Sequence, residues 1–208
     1  MGKTIKDRFT RIFKTNGFEG DESISGPGSN LIQTERLVRF LPELFRDLHI
    51  KRFLDAPCGD FHWMSKVNLD QVNYLGLDIV KELVDQNRKN YESESIDFQA
   101  CDIINENLPN AELLLCRDCL VHLSFDDIMK FVSNFKSSSC EYLLTTTFPT
   151  RTTNIDIKEG VGWRPLNLEI SPIRFPEPIL LFNEGCTEND GTYHDKSLGL
   201  WHRDSLKP

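Results

Sequence analysis

Phe53-Leu54-Asp55-Ala56-Pro57-Cys58-Gly59-Asp60 is the stretch on which the fold turns. Arg52–Ala56 reads as a short strand that stops at Pro57, because proline cannot donate to a strand ladder. Gly59 then lets the backbone come close to whatever lies beyond the strand end, and Asp55 and Asp60 are placed to receive a cationic group.

Outward from this turn the pattern alternates between strand and helix. Phe61–Val67 reads as a brief helix, Tyr74–Asp78 as a second strand, and Val80–Asn90 as a helix. Ile96–Ala100 and Ala111–Arg117 are the third and fourth strands. Ser124 caps a helix through Phe135, with Asp126 and Asp127 in the first turn, where the helix dipole favours acid. Cys140–Phe148 is a fifth strand, and Ile179–Asn183 and Leu198–Arg203 are two more, separated by the polar loop Glu184–Lys196. Such alternation builds right-handed crossovers and a mostly parallel, doubly wound seven-stranded α/β sheet.

Upstream, Ser29 or Asn30 is placed to cap a helix carrying Leu31, Val38, Leu41, Leu44, Phe45 and Leu48. Residues 1–30 are a basic segment and a Gly-rich loop, expected to act as a lid, and residues 31–208 are one domain. Within it, residues 149–177 hold Pro149, Gly160, Gly162, Pro165, Pro172 and Pro176, a loop-rich segment expected on the substrate side.

The 208 residues carry a net charge of −8, which argues against a nucleic-acid partner. Lys3, Lys6, Arg8, Arg11 and Lys14 make residues 1–18 basic, and Ile5, Phe9, Ile12 and Phe13 would give a helix there an apolar face. Contact of that segment with a membrane surface or an acidic partner is open, but packing on its own domain is the favoured reading. No apolar run approaches a membrane span and no signal peptide is evident, so a cytoplasmic protein is expected. The six cysteines, several in expected strands, read as reduced thiols. Cys116-x-x-Cys119 stands without the second pair or nearby histidines that zinc would need, so no metal is expected.

In open α/β sheets, ligands bind beyond the carboxyl ends of strands. After the first strand come Asp55, Pro57, Cys58, Gly59, Asp60 and Trp63. Asp78 ends the second strand, 23 residues past Asp55, where an acid binds ribose hydroxyls. Asp102 follows the third strand, 24 residues later, and Arg117, Asp118, Cys119 and His122 follow the fourth. Three acidic strand tips suit a ligand with a ribose, an exocyclic amine and a positive charge. They suit a pyrophosphate poorly, and the G-x-G-x-x-G loop of a dinucleotide site is absent. S-adenosylmethionine (SAM) therefore fits better than NAD, and a nucleotide-dependent oxidoreductase is disfavoured.

Phe53–Asp60, Gly76-Leu-Asp78-Ile, Ala100-Cys-Asp102-Ile and Leu114-Leu-Cys-Arg117-Asp-Cys-Leu-Val-His122-Leu, in that order, resemble the class I (Rossmann-like) SAM-dependent methyltransferases. The resemblance spans about residues 53–148. It implies that Asp55 and Gly59 line the methionyl end, with Asp60 on its amine. Asp78 would take the ribose hydroxyls with Ile79 under the adenine, and Asp102 would accept the adenine amine with Ile103 against the ring. The Arg117 backbone would close the methionine side. Cys58-Gly59-Asp60 replaces the usual Gly-x-Gly, which leaves open which carboxylate holds the amine.

Methyl transfer demands alignment of the acceptor and exclusion of water, with a base only for a protonated nucleophile. His122 is the preferred base, with Asp118 or Asp156 as alternatives. Trp163, Arg164 and Asn167 are expected to bind the acceptor, a small molecule or sugar, for O- or N-methylation. Arg164 and Lys196 would clamp an anion or pair with acidic side chains. A catalytically inactive SAM-binding or partner-binding protein is the alternative.

Overall fold

Seven strands form a sheet in the order β3-β2-β1-β4-β5-β7-β6. They are β1 (Arg52–Asp55), β2 (Asn73–Asp78), β3 (Ile96–Ala100), β4 (Leu113–Cys116), β5 (Tyr142–Thr147), β6 (Leu180–Asn183) and β7 (Ser197–His202). Each coincides with an expected strand to within about two residues. Among the described residues four α-helices accompany them, α1 (Ile5–Thr15), α2 (Leu31–Asp47), α3 (Lys81–Tyr91) and α4 (Phe125–Ser137), with a single helical turn at Glu188–Gly191. This computed structural model describes residues 4–157 and 162–207. Lys3 of the basic segment and Gly160 of the loop-rich segment lie outside the described residues. The chain forms two compact units, one ending at Asp102 and the other beginning at Ile103.

In the first unit β2 pairs in parallel with both β1 and β3, placing Asp55 opposite Gly76 and Asp78 opposite Ala100. Phe53, Tyr74, Phe61 and Phe98 pack as a chain of tilted and edge-on rings 5.0–5.7 Å apart. Such geometry suits the ring quadrupoles as well as the burial of apolar area. A side chain at Gly76 would meet Phe98 at 2.6 Å, so this cluster needs a bare backbone there.

Helix α2 buries Thr34, Leu37, Leu41, Leu44 and Phe45, a stripe at helical spacing. The expected core positions Val38 and Leu48 lie on its flank, half-buried, and Leu31 is exposed. Asn30 occupies the cap position without a side-chain bond. The Leu31 amide donates instead to Glu22 Oε2 at 2.9 Å, so a loop acid caps the helix in place of Ser29 or Asn30. In α1, Thr4 and Asp7 form a reciprocal capping box. Lys14 pairs with Glu82 of α3 at 2.8 Å, which ties the basic helix to its own unit.

Phe61–Val67, expected as a helix, is only a 3-10 turn at Met64–Lys66, preceded by a left-handed residue, Phe61, at φ 58°. A left-handed residue of this kind breaks the regular helical path.

In the second unit β4 and β5 are parallel, and β7 runs antiparallel to both β5 and β6. Residues 101–112 carry β3 towards β4 without a helix. Pro109 and three asparagines in that stretch explain why, since both residue types favour turns. Leu113, Leu114, Leu115, Phe131, Phe135, Leu143, Leu144 and Trp201 form a fully buried core. Ser124 caps α4 as expected, accepting from the Asp127 amide at 3.2 Å. All six cysteines are buried thiols. Among the described residues, no helix is long and apolar enough to cross a membrane, and no cluster of His, Cys, Asp and Glu is arranged to hold a metal.

Candidate functional site

The carboxyl ends of β1, β2 and β3 in the first unit bring down Asp55, Asp78 and Asp102. Asp55 is 3% exposed and its Oδ2 accepts from the Tyr74 hydroxyl at 2.8 Å. Asp78 Oδ1 accepts from the Val80 amide at 2.9 Å, and its Oδ2 accepts from the Gly59 amide at 3.3 Å. Burial nonetheless raises the Asp78 carboxyl to about 6, against those two bonds, which favour the ion. Asp102 and Ile79 are half-buried, Trp63 is buried, and Pro57 is half-buried before the turn.

The Gly59 turn is held from several sides. The Cys58 amide donates to the Leu77 carbonyl at 2.8 Å. Asn87 of α3 donates to the Gly59 carbonyl at 2.7 Å and lies 3.8 Å from Cys58 Sγ. Burial first, then the charges of Asp78 and Asp55, push the Cys58 thiol well above its ordinary value, so it stays protonated. Gly59 has φ 56°, and a Cβ there would stand 2.2 Å from Ser25 Oγ. Glycine is required on both counts.

Asp60 departs from expectation. Its Oδ1 accepts from the Ser23 hydroxyl at 2.8 Å, the Ser25 hydroxyl at 3.3 Å and the His62 amide at 3.3 Å. Its Oδ2 accepts from the Ile24 amide at 3.0 Å. The carboxylate expected on the methionyl amine thus latches residues 23–25 onto the Gly59 turn. No local pattern foretold this, because the partners lie 35–37 residues upstream.

The second unit arranges the residues after β4. Ile103 is buried, and its carbonyl accepts from Asn134 of α4 at 2.7 Å. Arg117 donates through Nε and Nη2 to Glu184 Oε2 at 3.0 and 2.8 Å, and Lys196 Nζ lies 2.6 Å from Asp118 Oδ2. Arg117 Nη1 completes the group at 3.3 Å from the same Asp118 oxygen. These four charged side chains cancel one another, as buried charges must. Burial opposes ionisation of Asp118, yet Lys196 and Arg117 hold its carboxyl at about 2. An acid that weak in its affinity for protons is a poor general base. Asp118 is thus ion-paired with Lys196 and Arg117, and Lys196 has the acidic partner that the sequence left as one of its two alternatives.

His122 differs. Its Nδ1 lies 2.6 Å from the Gly162 carbonyl, which can only accept, so the proton sits on Nδ1 and the lone pair on Nε2. Burial lowers its pKa from the ordinary value, against the Gly162 carbonyl and Asp118, and keeps the ring neutral at pH 7. Asp156, the other candidate base, accepts from the Phe125 amide at 2.8 Å at the start of α4.

Of the three expected acceptor residues, only Trp163 presents itself, at 41% exposure. Arg164 donates to the carbonyls of Ile155, Leu120 and Leu123. Burial lowers its pKa to about 10. Its donors brace the His122 turn, which leaves it unsuited to clamping an anion. Asn167 is buried, donating to the Pro149 and Arg151 carbonyls at 3.1 and 2.9 Å, and so is a loop fastener. Phe148, Tyr193 and Glu184, which the sequence did not single out, complete this region.

No protein-family profile and no curated protein matches the sequence. Solved structures do match. Magnesium protoporphyrin IX methyltransferase of Synechocystis PCC 6803, with SAM bound, aligns over 97% of this chain and 98% of its own at TM-score 0.63 and 14% identity. N-methyltransferase NodS of Bradyrhizobium japonicum WM9 aligns over 84% and 98% at TM-score 0.58 and 13% identity. Human N-acetylserotonin methyltransferase, with SAM, aligns over 94% of this chain and 66% of its own at TM-score 0.54 and 14% identity. By strand order and by these alignments, the chain has the Rossmann-like fold of the class I SAM-dependent methyltransferases.

Proposed function

We propose that the protein is a SAM-dependent methyltransferase acting on a small-molecule acceptor. The observation that carries this reading is Asp78, a buried carboxylate at a strand tip whose two oxygens meet only backbone amides among its described hydrogen bonds. Asp55, Asp78 and Asp102 are all acceptors. SAM offers donors to match: an ammonium, two ribose hydroxyls and an exocyclic amine. The residues present fit that group.

In this reading Asp78 takes the ribose hydroxyls, with Ile79 beneath the adenine. Asp102 takes the adenine amine, with Ile103 against the ring. Asp55 receives the ammonium, since the Asp60 oxygens already serve residues 23–25. Pro57, Cys58, Gly59 and Trp63 line the methionyl end. Residues 19–30, fastened through Asp60, cover the cofactor.

The bound cofactor supplies an electrophilic methyl group on a sulfonium. His122, neutral and protonated on Nδ1, takes a proton at Nε2 from a hydroxyl or ammonium nucleophile. Trp163, on the loop-rich segment, holds the acceptor in a site that excludes water.

Calorimetric titration with S-adenosylhomocysteine (SAH) tests the first step. Micromolar binding to the wild type, weakened at least about tenfold by Asp78→Ala, is the expected result. Folded protein that shows no heat of binding at high micromolar SAH would overturn the proposal.

A further inference from the structure

Trp163, Tyr193 and Phe148 form a three-ring cluster in the second unit. The Trp163 and Tyr193 centroids lie 4.7 Å apart at 62°, and Phe148 meets them edge-on at 5.9 and 6.1 Å. Phe148 is fully buried and follows β5 directly, so it anchors the other two rings to the sheet. The Arg151 guanidinium lies 5.9 Å from the Phe148 and Tyr193 ring centres, held by Asp195 Oδ1 at 2.9 Å and the Thr192 carbonyl at 2.8 Å. Rings braced in this way lose little freedom when a ligand arrives.

Trp163 is also tied to the candidate base. The residue before it accepts from His122 Nδ1, and the residue after it donates from its amide to the Val121 carbonyl at 3.2 Å. The exposed indole is thus one residue along the chain from the group that orients the imidazole. Lys196, whose amide donates to the Tyr193 carbonyl at 2.9 Å, links the same rings to the ion group.

We propose that Trp163 and Tyr193 are the platform for the acceptor, and that the acceptor is a neutral hydroxylated ring whose flat face stacks on the indole. Large aromatic faces bind rings through apolar area and their electron-rich surface. Charge selects a neutral ligand. Arg117 and Lys196 balance Asp118 and Glu184 in charge, and Glu188 and Asp190 make the neighbouring turn acidic. An anion would meet those acids, and an ammonium would compete with Lys196 and Arg117 for Asp118. A hydroxyl meets neither obstacle and suits a neutral imidazole that takes protons. The acceptor's role as methyl recipient rests on the methyltransferase reading, but its binding to the platform does not.

Ligand-observed NMR with two probes, phenol for an aryl ring and methyl β-glucopyranoside for a glycosyl ring, tests the platform on the full chain with and without SAH. One or both are expected to bind the wild type at millimolar concentration. Trp163→Ala should weaken that binding about five- to tenfold, and Trp163→Phe should retain it within about twofold. Binding of phenol alone assigns an aryl acceptor, and of the glycoside alone a glycosyl one; either supports the platform. If neither probe binds the wild type, or Trp163→Ala binds as well as the wild type, the proposal is overturned. Thermal melts confirm that each variant is folded, and the Phe variant keeps the test decisive if the Ala variant is not. Loss of SAH binding in the wild type would instead sink the methyltransferase reading and leave the ring test standing.

Discussion

The Asp118 carboxylate lies 2.6 Å from the Lys196 ammonium and is ionised, while His122, within its electrostatic reach, stays neutral. The preferred base and its alternative in the sequence are thereby set apart by their surroundings. In a steady-state assay kcat should rise with pH through a value below 6.5 and stay level to about pH 8. His122→Ala should abolish that rise and lower kcat by about 10²–10⁴. Asp118→Asn should keep it. Survival of the rise in His122→Ala would exclude the imidazole as base.

Asp78 should oppose stability at neutral pH. Its folded-state value of about 6 exceeds the ordinary 3.8, so between those values the folded chain holds a proton that the unfolded chain has lost. Stability therefore falls as pH rises through that window, and the cost is complete above it. Asp78→Asn is expected to be about 1–3 kcal/mol more stable than wild type at pH 7.5 and equal to it near pH 3.5. Urea midpoints at both values check this. Equal midpoints at pH 7.5 would show that the carboxylate is not held at a cost.

Glu184 is 1% exposed and faces two cations. Its removal leaves the Arg117 guanidinium buried without its main counter-ion, so Glu184→Ala should destabilise the protein by about 3–5 kcal/mol. Glu184→Gln, which retains an accepting oxygen, should cost less. Chemical denaturation distinguishes the two, and a near-neutral Ala variant would contradict the pairing.

Asp60 should govern the N-terminal loop and little else. Asp60→Ala removes four bonds to residues 23–25 and 62, so limited proteolysis within residues 19–30 should quicken about tenfold or more. Amide exchange in β1, β2 and β3 should be unaffected. Unchanged cleavage would mean that other contacts hold the loop.

The strands were legible because their signal is local. Leu113–Cys116 is apolar throughout, as a strand buried on both faces must be, while Asn73–Asp78 ends on an acid and Ile96–Ala100 is followed two residues later by another. The strand-tip acids were legible for the same reason. What escaped notice depends on distant partners. Glu184 meets Arg117 from 67 residues away, and Lys196 meets Asp118 from 78. Arg164 and Asn167 looked like binding groups because a polar side chain in a loop-rich stretch gives no sign of whether its donors will find a ligand or the loop's own carbonyls. Both found carbonyls, the common fate of buried polar groups.

The reach of the ion group has a consequence for how the protein is made. Arg117 and Asp118 leave the ribosome long before Glu184 and Lys196, and until those arrive the earlier pair lacks two of its charged partners. The turn that carries His122 thus waits on residues synthesised 67 and 78 positions after its ion pair. A nascent or truncated product ending before Glu184 can build β4 and β5 but leaves a buried guanidinium without its main counter-ion, an assembly order in which the His122 turn is completed after the strands that flank it.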